Sequence, residues 1–200
     1  MSIYLQLLGI SPNDLEDYNK ENLGKIYELG KNKKIVAIGE IGLDYYWNKE
    51  NKELQKQAFV EQINIANELK KPIVIHTREA IFDTLDILKN KIKVQQKGVF
   101  HCCPLNIDLV REALKLDFYI SFAGPITFKN SKNANDIILE VPEDRFLIET
   151  DSPYLSPEPL RGTRNNSRKF KIYCTKNCRY KTKIFRRNSR KIISKYKKYI

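Results

Sequence analysis

The only two histidines of this 200-residue chain, His76 and His101, each sit in a short apolar run, and two carboxylates, Glu40 and Asp151, occupy comparable places in two other runs. Imidazole nitrogen and carboxylate oxygen together make a donor set for divalent cations. A (β/α) barrel gathers its chemistry at the C-terminal ends of its strands, so four candidate ligands on four strand-like runs describe one site. The chemistry this implies is metal-assisted hydrolysis.

The elements that must position them can be read from the apolar pattern. IVAIGEIGLD at 35–44, PIVIHTRE at 72–79, GVFHCCP at 98–104 and FLIETDSPYL at 146–155 are rich in Val, Ile and Phe and too short to stand as independent helices. LQLLGI at 5–10 and FYISFAG at 118–124 bring the number of strands to six. Helical spacing fills the intervals. Residues 51–70 place Leu54, Ala58, Phe59, Ile63, Ala66 and Leu69 on one face, and residues 79–90 do so with Ile81, Leu85 and Leu88. The stretch 107–116 turns Val110, Ala113 and Leu114 inward, and a weaker helix falls between 131 and 141. Strand and helix in alternation imply an α/β fold of parallel β/α units, its sheet covered by helices. A full eight-unit barrel takes about 250 residues, so the expectation is an incomplete TIM-type barrel with six of about eight strands.

Composition narrows the alternatives. A chain of this length can bury a substantial single core, and 42% hydrophobic content is ordinary for a globular protein. No apolar stretch approaches about 18 residues and the first residues lack a secretion-signal pattern, so no membrane span and a cytoplasmic location are expected. The four cysteines, Cys102, Cys103, Cys174 and Cys178, do not form a disulfide framework. A zinc knuckle on Cys174 and Cys178 would need two further ligands nearby, which the tail does not offer. The net charge of +12 is unevenly spread: residues 161–200 hold 16 Lys and Arg and no acid, whereas residues 1–160 hold 20 basic and 24 acidic side chains. Interleaved with Tyr173, Tyr180, Phe185, Tyr196 and Tyr199, such a tail suits phosphate neutralisation and base stacking, or else a solvated segment without a core.

The segments GEIGLDYYW, PIVIHTREA, GVFHC, FYISFAGPITFKN and IETDSPYL, in this order and spacing, resemble the TatD family of metal-dependent deoxyribonucleases. The resemblance covers residues 6 to about 167 and rests on five separate segments. It implies an amidohydrolase-type TIM barrel holding one to three divalent cations, zinc, magnesium or manganese, with metal contacts at Glu40, His76, His101 and Asp151. It makes DNA the expected substrate, with phosphodiester bonds cleaved by a metal-activated water.

Ligand chemistry then assigns roles. Glu40 can bridge two cations with its two oxygens, and each neutral imidazole can donate one nitrogen while the other fixes the ring. Asp151 suits the task of accepting a proton from the attacking water, which makes Asp151 and Glu40 the expected catalytic pair. Asp44 either joins them or caps the loop that follows it. Arg78, Arg161 and Arg164 are placed to meet substrate phosphates, against the alternatives of an ion pair at a helix start for Arg78 and a solvated loop for the other two. Cys102 and Cys103 replace the more usual residues of the family at this place and read as packing residues.

Two departures from the family pattern accompany the resemblance. The family begins with a strand ending in a His-x-His pair that supplies two ligands, and nothing here corresponds to it; LQLLGISPND aligns near the third strand. At the other end the family continues into amphipathic helices, whereas this sequence turns basic. Ordinary codons for KIYCTKNCRYK at 171–181 can be chosen so that a one-base shift reads KYIAQKIADIK, an amphipathic helix. The tail from about Arg168 onward (168–200) is therefore expected to be an out-of-frame product rather than a separate domain. Alongside the deoxyribonuclease stand an amidohydrolase-type hydrolase of a small ester or amide, an inactive remnant of such a nuclease, and a nonenzymatic nucleic-acid binder acting through the tail.

Overall fold

The structure, a computed structural model, describes residues 5–172. Six strands, β1 (Gln6–Leu8), β2 (Ile35–Asp44), β3 (Ile73–Arg78), β4 (Val99–Phe100), β5 (Tyr119–Phe122) and β6 (Phe146–Ile148), form one sheet in sequential order. Every adjacent pair is parallel. This is the strand order of a (β/α) barrel wall, and all six strands read from the apolar pattern are present, several of them shorter than the runs that carry them.

Five helices cover the sheet: α1 (Lys20–Gly30), α2 (Lys52–Glu68), α3 (Ile81–Asp86), α4 (Ile107–Lys115) and α5 (Ala134–Glu140). A wide turn at Ile87–Lys91 extends α3. Helix α1 lies outside the helices expected from the sequence, although Leu23, Ile26, Tyr27 and Gly30 recur at helical spacing on its inner face. A second signal was the cap: Asn19 Oδ1 accepts the backbone N–H of Asn22. The core forms where Ile38, Ile41, Leu43, Ile73 and Ile75 of the sheet meet Phe59, Ile63 and Ala66 of α2 and Leu109, Val110 and Ala113 of α4.

Helix α2 departs from the expected face. Leu54 is exposed, and Gln55 and Gln62 are buried in the stripe with Ala58, Phe59, Ile63 and Ala66. The two glutamines are seven residues apart, hence on one face. Gln62 accepts the backbone N–H of Ile10 and donates to its carbonyl (2.6 and 3.0 Å), while Gln55 does the same at Asp44 (2.7 and 2.9 Å). The polar residues win the buried face because the ends of β1 and β2 leave backbone groups that need partners.

Between β2 and β3 the register slips. Ile38 pairs with Ile73, but Ile41 pairs with Ile75 and Gly42 with His76, so β2 carries one extra residue around Gly39 and Glu40. Gly42, at φ 141°, lets the strands close: a Cβ there would lie 2.0 Å from the His76 carbonyl oxygen. Glu40 consequently projects from a bulge inside β2, a correction to its expected place at the strand end. Bulges re-aim side chains in this way beside functional sites.

No helix among the described residues is long and apolar enough to cross a membrane. The expectations for Cys174, Cys178 and the tail aromatics fall beyond residue 172, outside the described residues, as does all but 168–172 of the stretch expected to be out of frame. Of the tail, Lys169 is seen to bind the last loop, its Nζ donating to Ser156 Oγ, Thr163 Oγ1 and the Arg164 carbonyl, each at 2.7 Å.

Candidate metal centre

Glu40 on the β2 bulge, His76 on β3 and His101 in the turn directly after β4 each offer a ligand atom, and these atoms lie within 4.8 Å of one another. Asp151, three residues beyond β6, is not in that trio but touches it: its Oδ1 is 3.4 Å from His101 Nε2, which is also 3.5 Å from Glu40 Oε1. Residues from four strands, one of them on a bulge, are thus drawn together by the parallel order of the sheet.

Each imidazole is held by a carboxylate on one nitrogen. His76 Nε2 donates to Asp44 Oδ2 at 2.9 Å, and His101 Nδ1 donates to Glu149 Oε2 at 2.6 Å. This fixes the ring and leaves the other nitrogen, Nδ1 of His76 and Nε2 of His101, as the one that would bind a cation. Asp44 and Glu149 are therefore positioning residues. Asp44 combines this task with the cap expected of it. Its Oδ1 accepts the N–H groups of Tyr46 and Trp47 at 2.9 and 3.3 Å, and Asn13 Nδ2 adds a bond to Oδ2 at 3.3 Å. Glu149 was missed in the sequence, although it stands two residues before Asp151. The usable signal was the need of any ligating histidine for a partner on its second nitrogen.

The local backbone is bent to serve this arrangement. Asp151 and Cys102 both adopt positive φ, 55° and 39°, a region that non-glycine residues seldom occupy. The Cys102 N–H donates to Glu149 Oε1 at 2.5 Å, so one carboxylate ties the turn after β4 to the chain after β6. Asn165 does the same for the Asp151 turn: its Nδ2 donates to the carbonyls of Thr150 and Tyr154 at 2.6 and 2.7 Å.

The charge of the pocket is strongly negative. Burial disfavours a charged imidazole at His101, but hydrogen bonds to Asp151 and Glu149, with the charges of Glu149 and Glu40, outweigh it and raise its pKa to about 10. Burial likewise disfavours ionised Asp44, yet its bonds from His76, Trp47 and Asn13 prevail and lower it to about 2. Burial pushes both thiols up, with Asp151 and Glu149 adding to the effect at Cys102, so neither cysteine is a ready thiolate. Cys103 belongs to the core; Cys102 contributes its backbone. A site that collects carboxylates around an imidazole demands a positive charge, and the mixed nitrogen and oxygen donors present fit a divalent cation.

The arginines are not drawn into this centre. Arg78, on β3, lays its guanidinium over the Tyr46 ring at 3.7 Å, and among the described residues no carboxylate pairs with it. That replaces the ion pair at the helix start considered for it. Arg161 stacks over Phe128 at 4.1 Å, and Arg164 is exposed in the same loop after β6.

Comparison with known proteins follows the same lines. A sequence profile described as TatD related DNase matches residues 2–194. Relatives include the uncharacterized metal-dependent hydrolase YabD of Bacillus subtilis, 46% identical over 158 residues, which are 79% of this chain and 62% of the relative. An uncharacterized metal-dependent hydrolase of Buchnera aphidicola is 49% identical over 157 residues, 78% of this chain and 59% of its own length. The chain thus spans about three-fifths of the length of these relatives. Among solved structures, the TatD homologue YJJV from Escherichia coli superposes with a TM-score of 0.80 at 24% identity, over 88% of this chain and 68% of that one. A TatD family hydrolase from Entamoeba histolytica gives 0.71 at 23% identity, over 84% and 64%. At such identities the two structures speak to the fold.

Proposed function

This chain belongs to the TatD-related DNase family, and on that premise we propose that it carries the centre of a divalent-metal-dependent hydrolase acting on DNA phosphodiester bonds. The observation that carries the proposal is the convergence of Glu40, His76 and His101 within 4.8 Å, with a carboxylate on the outer nitrogen of each imidazole. The names of the relatives, metal-dependent hydrolases, point the same way.

Glu40, His76 and His101 would hold the cation. A bound zinc, manganese or magnesium ion supplies Lewis acidity, lowering the pKa of a water and neutralising charge on a phosphate oxygen. The remaining work falls to side chains of the chain itself. Asp151, beside His101 and partly open to solvent, is placed to take a proton from the attacking water. Its positive φ and the Asn165 clamp keep that carboxylate aimed at the pocket rather than along the loop. Arg78, Arg161 and Arg164, which keep guanidinium N–H groups free of carboxylates among the described residues, would orient flanking phosphates. That distribution of cations favours a polyanion over a small neutral ester or amide.

The test is hydrolysis of an end-labelled DNA oligomer by purified chain with each cation and with chelator. Cleavage that needs the cation and is lost in Glu40→Ala is expected. Cleavage surviving chelation, or hydrolysis confined to small esters and amides, overturns the proposal.

A further inference from the structure

Two aromatic side chains stand in water on the turn held by Asp44, the carboxylate that also holds His76. Tyr46 and Trp47 follow β2 after the buried Tyr45, are 46% and 68% exposed, and meet edge to face with ring centroids 4.8 Å apart. Large aromatics normally bury such area, and the position of these two is fixed rather than accidental. Both backbone N–H groups are held by Asp44 Oδ1, while Oδ2 of the same carboxylate holds His76. The aromatic pair and a metal-ligand candidate therefore share one buried anchor.

Arg78 completes the surface. It lies two residues beyond His76 on β3, hence on the same side of the strand, with buried Thr77 between them facing the other way. Its guanidinium is 3.7 Å from the Tyr46 ring centroid and 5.5 Å from that of Trp47. Stacking uses the face of a guanidinium and leaves its N–H edge for an anion. A largely exposed indole beside a guanidinium with no carboxylate partner among the described residues is the combination that binds a nucleotide, the ring taking a base and the guanidinium a phosphate.

We propose that Trp47, supported by Tyr46 and Arg78, is a stacking subsite for one unpaired nucleobase next to the phosphate presented to Glu40, His76 and His101. The proposal rests on the phosphodiesterase reading above and specifies how its substrate is seated. Recognition through a π face rather than through base edges makes the subsite tolerant of sequence.

Trp47 is the only tryptophan of the chain, so its fluorescence reports the subsite directly. The experiment titrates the full chain, kept in chelator to prevent cleavage, with a short oligothymidylate and with an abasic oligomer of equal length and charge. Binding of a fluorescein-labelled copy of each oligomer is followed by anisotropy. Quenching of Trp47 by the base-bearing oligomer alone is expected, and Trp47→Ala should weaken that oligomer by about tenfold while leaving the abasic one unchanged. Trp47→Phe should retain most of the affinity, which separates a lost ring from a disturbed turn. Equal binding of the two oligomers, or no quenching, overturns the subsite. A parallel cleavage assay with cation keeps the two claims apart. Cleavage without quenching removes the subsite and leaves the hydrolase standing; quenching without cleavage does the reverse.

Discussion

At the scale of single residues, the four sequence candidates stood out because a chain with two histidines offers few ways to build a nitrogen-containing site. What the residue types did not disclose was the partner of each ring. Asp44 read equally well as a cap, and it is one; its second oxygen on His76 depends on a register that only the bulge in β2 creates. Glu149 lies within the IETDSPYL segment, but its two side-chain contacts, His101 and Cys102, are more than forty residues away and leave no local signal. These contacts make specific demands. In Glu149→Gln one oxygen must serve both the His101 ring and the Cys102 N–H, so one contact is lost. Cation affinity, measured by equilibrium dialysis, should fall by about tenfold or more with the circular dichroism spectrum unchanged. Asp44→Asn is subtler. The amide oxygen can still cap the turn, but its NH₂ group then faces His76 Nε2 and forces the imidazole proton onto Nδ1, the nitrogen a cation needs. A drop in affinity of about tenfold is expected here too, with little loss of stability. Unchanged affinity in both variants would separate these carboxylates from cation binding.

At the scale of elements, strands were legible because parallel strands buried on both faces read as continuous apolar runs, as PIVIH and GVF do. Helix faces were less so. In α2 the apolar count favoured Leu54, yet the backbone groups of Ile10 and Asp44 draw Gln62 and Gln55 inward, and no periodicity records that demand. Gln62→Leu should therefore destabilise the fold although it adds apolar volume, because the N–H and carbonyl of Ile10 lose their partner. A cost of about 2 to 4 kcal/mol in denaturant unfolding is expected, with a neutral or stabilising effect as the contrary result. A second prediction concerns the latch between α2, α3 and the turn after β2. Asp83 accepts from Lys56 at 2.8 Å and from the Tyr45 hydroxyl at 2.7 Å, and these bonds hold its carboxyl below the usual range. A carboxyl depressed by folding adds stability above its ordinary pKa of about 3.9, and that contribution is lost as pH falls through the folded value. Asp83→Asn should accordingly be less stable at neutral pH and lose less on acidification than the parent, as followed by thermal unfolding across that range. Parallel curves for the two proteins would show that the latch carries no pH dependence.

At the scale of the whole molecule, sequential parallel order is the property that turns scattered residues into a site. Glu40 and Asp151 are separated by most of the described chain and still reach the same imidazole, because β2 to β6 lie side by side and all point one way. That much followed from strand and helix alternation. The closeness of Glu40, His76, His101 and Asp151 did not, since it goes with an inserted residue in β2 and with positive φ at Cys102 and Asp151, neither of which leaves a mark in hydrophobic spacing. The overall charge of +12 does not describe the pocket: the excess of basic residues lies in 161–200, as the sequence shows, while the pocket itself is lined by carboxylates. The most direct test of the centre is therefore cation binding by the purified chain, measured by calorimetric titration with zinc and manganese for the parent, Glu40→Ala and His76→Ala, with circular dichroism on each. Specific binding by the parent and a loss of about tenfold or more in either variant, with an unaltered spectrum, is the expected result. Equal affinity in all three proteins would mean that Glu40 and His76 hold no cation, and the hydrolytic centre would have to be abandoned.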